Sequence, residues 1–349
     1  MVEHVVLPMD NFYRFKRLTL RRDIRLAHFQ LRSVLACPSR SQVFYSTRHG
    51  IARLNPLTKK SDVVLDLSET AGMGRAITAL DAKHGVLVGG TFNGDICIAP
   101  LHQLDNKKTR PTIIEGFDGI SNHIQIYTPR RSSSPVVTVA CNDHAVRVYD
   151  LQAEEFILEA GYVTALNATA ISPDRRLRIL VGDQPNAIIS DAETGDPLVE
   201  LKGHRDNGFA CSWSDDGWTV ATGYQDKTIK IWDARHWNNA NGESTPIASL
   251  WCDIAGARSL QFSPLGSGHP VLVAAEEADY LNVIDAKTFR TKQSFDFFGE
   301  LGGVAFSDDG RELNTLISEV HRGGLVQLER CRTSSQQGQR TMLEGMELF

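Results

Sequence analysis

The chain has 349 residues, 42% of them hydrophobic and 23% charged, and carries a net charge of −5. That is enough apolar material for a sizeable core, which excludes wholesale disorder, and the mild negative charge gives a nucleic-acid-binding surface no support. No apolar run has the length of a membrane-spanning helix, and the opening MVEHVVLPMDNFYRFKRL lacks the apolar centre of a secretion signal.

Six cysteines stand singly at positions 37, 97, 141, 211, 252 and 331, with no C-x-x-C pair and no histidine at metal-ligand spacing. They read as buried small hydrophobes in a reducing compartment, which places the chain in cytosol or nucleus. No membrane or nucleic-acid partner, no cofactor and no metal is expected.

In chain order, residues 1–17 read as an N-terminal extension. LTLRRDIRLAH (18–28) then alternates apolar and charged residues as an outer strand does. The six basic residues of RFKRLTLRRDIR (14–25) belong to that alternation rather than to a nuclear signal. A rhythm follows: RSVLAC, VFYS, IARL and VVLDL; AITAL, VLVGG, DICIA and PTIIE; HIQIY, VVTVA, AVRVYD and EFILE. It continues as TALNATAIS, LRILVG, AIISD and PLVEL; FACSWS, TVATG, TIKIWD and PIASLW; SLQFS, VLVAA, YLNVID and TKQSFDF. A seventh triplet, GGVAFS, ELNTLI and GLVQLE, has no fourth strand after it and runs into a polar segment. Short strands in groups of four, repeating about every 40 to 45 residues, are the signature of β-propeller blades. The expected fold is therefore all-β: a seven-bladed propeller over 18–330, its last sheet completed by the N-terminal outer strand, with a flexible tail at 331–349.

The fifth repeat is the most informative. It contains Gly203-His204, then Thr222, Asp226 and Trp232-Asp233, and at these residues the sequence resembles the WD40 repeat family. The resemblance implies a structural hydrogen-bond tetrad of His204, Thr222, Asp226 and Trp232, a blade staple and not an acid–base pair. Other repeats depart from it: the third has Asp143 and Tyr149 but Val139 at the hydroxyl position, the second has Gly89, Asn93 and Ala99, and the sixth has Ala274, Ala278 and Ile284. Residues 160–330 also resemble a group of uncharacterised fungal and plant WD-repeat proteins, most distinctively through AEEADYLNVIDAKTFRTKQSFDFFGELGGVAFSDDGREL.

Catalytic signatures fail on context. AGMGRA (71–76) lacks the Lys and Ser/Thr of a phosphate loop and lies between strands; GSGHP (266–270) lacks the nucleophile elbow. A hydrolase or lyase working in the central channel needs convergent polar groups, and the inner strands read as Ala, Val, Leu, Ile and Phe.

The favoured function is a non-catalytic scaffold that binds partner proteins through loop faces. Three surfaces are candidates for it. Glu276, Glu277 and Asp279 sit among acidic loops suited to a basic peptide. Trp218 and Trp237 fall on the opposite face of the fifth blade, while Trp213 and Trp251 read as core. Residues 220–235 resemble the WD-x-R box that docks some WD40 proteins on the adaptor of cullin-4 ubiquitin ligases, with Arg235 at the defining position; this implies a substrate receptor as the alternative role. Ser133 and Ser134, in TPRRSSSPVV (128–137), are candidate phosphorylation sites.

Overall fold

The computed structural model describes residues 7–8, 11–68, 75–105, 111–115, 118–319 and 321–331. Among them the regular structure is β-strand, apart from a 3-10 turn at Leu101–Gln103. Five four-stranded antiparallel sheets follow one another along the chain. The first consists of Leu35–Ser39, Gln42–Thr47, Gly50–Leu54 and Ser61–Asp66. The next three open with Ile77–Lys83, Ser121–Tyr127 and Leu166–Ile171. The fifth consists of Gly208–Trp213, Thr219–Tyr224, Thr228–Asp233 and Ala248–Trp251. The remaining strands form one larger sheet, in the order Tyr13–Leu20, Gly324–Arg330, Glu312–Ser318, Thr291–Phe306, Ala278–Asp285, Val271–Glu276 and Ala257–Phe262, with Leu7–Pro8 paired in parallel to Thr291–Phe306.

Each four-stranded sheet is a meander, so consecutive strands pair and short turns suffice. One turn recurs where a first strand meets a second. Ser172, Ser214 and Ser307 each donate a hydroxyl to an aspartate two residues on (Asp174, Asp216, Asp309), and each accepts the amide of the residue entering the second strand (Leu177, Thr219, Glu312). These serine-aspartate turns satisfy backbone and side chain together.

The first strands of successive sheets pack against one another around an axis, and Thr291–Phe306 packs back on Leu35–Ser39. The core consequently lies in wedges between adjacent sheets. Ile179, Val181, Trp213 and Trp232 fill the wedge between the fourth and fifth, and Val34, Val43, Ala305, Leu316 and Leu325 join the last strands to the first sheet. Second strands such as VVTVAC are buried on both faces and read as continuous apolar runs. Outer strands such as EFILEAG keep one face in water and alternate.

Two features differ from the expectations above. The outer strand beside Gly324–Arg330 is Tyr13–Leu20, not 18–28, so a propeller boundary at residue 18 cuts through it. The reason is Tyr13, a fully buried ring whose hydroxyl donates to Gly310 O at 2.9 Å. The Gln293 side chain accepts the Phe12 and Tyr13 amides and donates to Tyr13 O at 2.6 Å. Second, TKQSFDF and GGVAFS are one strand of 16 residues, Thr291–Phe306. No proline or Asp-Gly turn interrupts it, and it pairs with Ala278–Asp285 through its first half and with Glu312–Ser318 through its second. Of the expected tail, only Cys331 is among the described residues.

Candidate functional site

The polar centre of the fifth sheet is built from the loop before its first strand, its second and third strands and the turn between them. Trp232 donates Nε1–H to Thr222 Oγ1 at 2.9 Å; Thr222 Oγ1 lies 2.9 Å from His204 Nε2; and His204 Nδ1 lies 3.0 Å from Asp226 Oδ2. One assignment of protons satisfies the whole chain: Thr222 donates to Nε2, and a neutral His204 donates Nδ1–H to the Asp226 carboxylate. Asp226 also accepts the Thr228 hydroxyl at 2.7 Å and the Arg205 amide at 2.9 Å. Burial holds the His204 pKa below its ordinary value despite Asp226. Burial opposes ionisation of Asp226 too, but the hydrogen bonds from His204 and Thr228 and the Arg205 amide outweigh it and keep the carboxylate charged. The His204 ring stacks on Tyr224 with centroids 3.6 Å apart. Gly208 makes room for that stack, because a Cβ there would lie 2.6 Å from Tyr224 Cζ. The polar groups of His204, Thr222, Asp226 and Trp232 are thus bonded to one another, while the stacked Tyr224 keeps a buried hydroxyl without a hydrogen-bond partner.

The repeats that depart from this pattern hold the same turn by other means. In the second, Arg75 bonds Asp95 at 2.9 Å, and Asn93 bridges Thr91 and Asp95. In the third, Arg147 pairs with Asp143 at 2.8 Å and Glu159 at 2.7 Å. In the sixth, Glu276 accepts the amides of Asp253, Ile254 and Ala255 and the Asn282 amide group. That last arrangement corrects the acidic-surface expectation. Glu276 is completely buried, Glu277 is tied to Arg258 at 2.7 Å, and Asp279 accepts the Gly299 amide at 2.9 Å. Carboxylates that the sequence places in one loop are thus used to hold neighbouring segments.

The aromatic candidates separate in the same way. Trp237 meets Trp213 edge-on at 5.8 Å and packs on the core, so it is not a free anchor. Trp218 is 56% exposed, with the Arg235 guanidinium 5.1 Å from its ring centre. Arg235 in turn makes a two-pronged pair with Asp233, at 2.8 and 2.7 Å, which lowers the Asp233 pKa to about 2. Trp251, read as core, is 53% exposed at the end of an outer strand. Ser133 is exposed and Ser134 half-buried in the turn before Val136–Cys141.

The axial cavity departs most from expectation. Arg32, Asn122, His123, Asn167, Phe209 and Arg258, all near the starts of first strands, line a cavity of about 40 Å³ that opens to solvent. The expected inner strands RSVLAC, HIQIY, TALNATAIS and FACSWS already contain Arg32, His123, Asn167 and Phe209; what strand periodicity does not give is that these side chains meet at one axis.

Residues 195–233 match the family model "WD domain, G-beta repeat". The chain is 21% identical over 305 residues to an uncharacterised fission-yeast protein, covering 81% of this chain and 83% of that one. It is 26% identical over 119 residues to a histone acetyltransferase type B subunit 2 of Aspergillus oryzae, covering 34% of this chain and 27% of the relative. It is 35% identical over 72 residues to the target of rapamycin complex subunit wat1 of fission yeast, covering 20% and 23%. In fold it is similar to a chain of the crystal structure of the mitotic checkpoint complex, with a TM-score of 0.75 and 16% identity over 95% of this chain and 97% of that one. One WD repeat, residues 195–233, is thus matched directly, and the all-β architecture is that of a β-propeller, similar over 95% of the chain to the checkpoint-complex neighbour.

Proposed function

We propose that the chain is a non-catalytic scaffold, a seven-bladed ring closed by Tyr13–Leu20 as the outer strand of its last blade, that brings proteins together through its loop faces. The tetrad of the fifth blade is then purely structural. The observation that carries this reading is the surface formed by Trp218 and Arg235: a large exposed indole beside a guanidinium held in place by Asp233. Exposed tryptophan and arginine are typical anchors of protein interfaces, and a rigid pair loses little entropy on docking. Similarity to subunits named for a histone acetyltransferase and for a target of rapamycin complex adds support, over about a quarter of each relative's length. Affinity purification of tagged chain from its own cells should recover a stoichiometric protein partner that Trp218→Ala loses, with circular dichroism unchanged. Full retention of every partner by that variant would remove the surface from the account.

A second reading rests on the same arginine. As the last residue of a WD-x-R box, Arg235 would dock on the adaptor of cullin-4 ubiquitin ligases, making the chain a substrate receptor. Recovery of the adaptor with wild type and its loss with Arg235→Ala would favour that reading over the general scaffold. Its absence from wild-type material would end it.

A further inference from the structure

We propose that the axial cavity is a binding site for a small oxyanion of the phosphate class, held between the guanidinium groups of Arg32 and Arg258. Both side chains are buried, at 0% and 1% exposure. Arg32 donates Nη1–H to His28 O at 2.9 Å and Leu31 O at 3.2 Å, and its Nη2 lies 3.3 Å from a Glu300 carboxylate oxygen. Arg258 donates from Nη2 to Gln225 and Glu277 and lies 3.9 Å over the Phe209 ring. That leaves Arg32 Nε and Nη2 and Arg258 Nε and Nη1 buried without a hydrogen bond, and His123 Nδ1 likewise.

Such a set is unusual because buried charged donors are costly when unbonded. Two guanidiniums facing one cavity also repel: burial depresses the Arg32 pKa, Glu300 opposes the effect, and Arg258 adds to it. The carboxylates nearby do not cancel this demand. Glu277 and Glu300 are partly exposed and each meets a single terminal nitrogen, while Asp183 accepts the Asn167 amide group at 2.7 Å. A tetrahedral oxyanion presents several acceptors at once and matches the planar fork of arginine, so it would satisfy the donors that Glu277 and Glu300 leave unbonded. This site belongs to the ring axis and is independent of the Trp218 surface.

The test is titration of the full chain with inorganic phosphate against chloride at matched ionic strength, read by calorimetry and by the ring resonances of His123, assigned with His123→Asn. Saturable binding that moves the His123 signal is expected, with Arg32→Gln and Arg258→Gln each weakening it about tenfold or more, as loss of a charge-assisted hydrogen bond would. Absence of saturable binding, meaning that water alone fills the cavity, overturns the proposal; so does binding that leaves His123 unmoved. The wild-type titration decides even if an arginine variant fails to fold. Competition by a phosphoserine peptide separates a phosphate carried by a partner from the free ion.

Discussion

The fifth sheet and the seam where the chain's ends meet do the same job by opposite routes. In the fifth sheet the decisive partners are close in sequence: His204 and Asp226 are 22 residues apart and Trp232 and Thr222 only 10. At the seam, Tyr13 and Gly310 are 297 residues apart, and Gln293 holds the Phe12 and Tyr13 amides over a comparable distance. The local cluster closes loops of one or two hairpins, whereas the seam's contacts close nearly the whole chain, at a larger entropic cost. Local polar chemistry can therefore specify a blade, but holding the last strands in place depends on burying one large side chain.

The comparison can be tested most severely at Tyr13. Tyr13→Ala removes a fully buried ring together with its bonds to Gly310 and Arg330, and should cost about 3–5 kcal/mol. Guanidinium denaturation would measure it, and hydrogen exchange should show Gly324–Arg330 losing protection first. A loss no larger than that of an exposed substitution would mean the seam does not govern stability.

Next in size is Thr222→Val, which keeps the side chain's shape but leaves Trp232 Nε1 and His204 Nε2 without their partner. A cost of about 1–3 kcal/mol is expected, confined in hydrogen exchange to the fifth sheet and its neighbours. Equal loss of protection at Tyr13–Leu20 would show that the two regions are one cooperative unit.

The smallest effect is acidification. His204 titrates in the folded chain below its ordinary 6.5, so between those two values the unfolded chain binds more protons and stability falls as pH drops below 6.5. Burial pushes His123 down to about 4, which adds a decline of the same sign. Asp226, held below 3.8 in the folded state, contributes stability above that value and loses it only as pH falls further, toward its folded-state pKa. Denaturation midpoints should fall through the histidine window in wild type and flatten partly in His204→Gln. A flat wild-type profile would refute the assignment of a neutral, buried His204.

Much of the sheet order was legible because strand periodicity is local. FACSWS, TVATG, TIKIWD and PIASLW all lie in or overlap the strands of the fifth sheet, and the four polar residues singled out there meet. The start of the outer strand was not legible, since RFKRLTL alternates equally well from either side of residue 18 and only the pocket formed by Gly310, Gln293 and Arg330 selects Tyr13. Side-chain direction was equally hidden. Glu276 and Glu277 are adjacent in sequence, yet one turns onto three amides of a neighbouring loop and the other to the buried Arg258 guanidinium.

The sequence by itself determined the strand rhythm, the turn chemistry and the polar cluster of the fifth sheet, because each depends on residues within one or two hairpins of each other. Only the tertiary structure decided which tryptophan stays exposed, which carboxylate is consumed by a loop, where the final strand is paired, and that Arg32 and Arg258 share one cavity. Those outcomes depend on which surfaces face one another once the sheets are packed around a common axis, and that proximity has no counterpart in the spacing of residues along the chain.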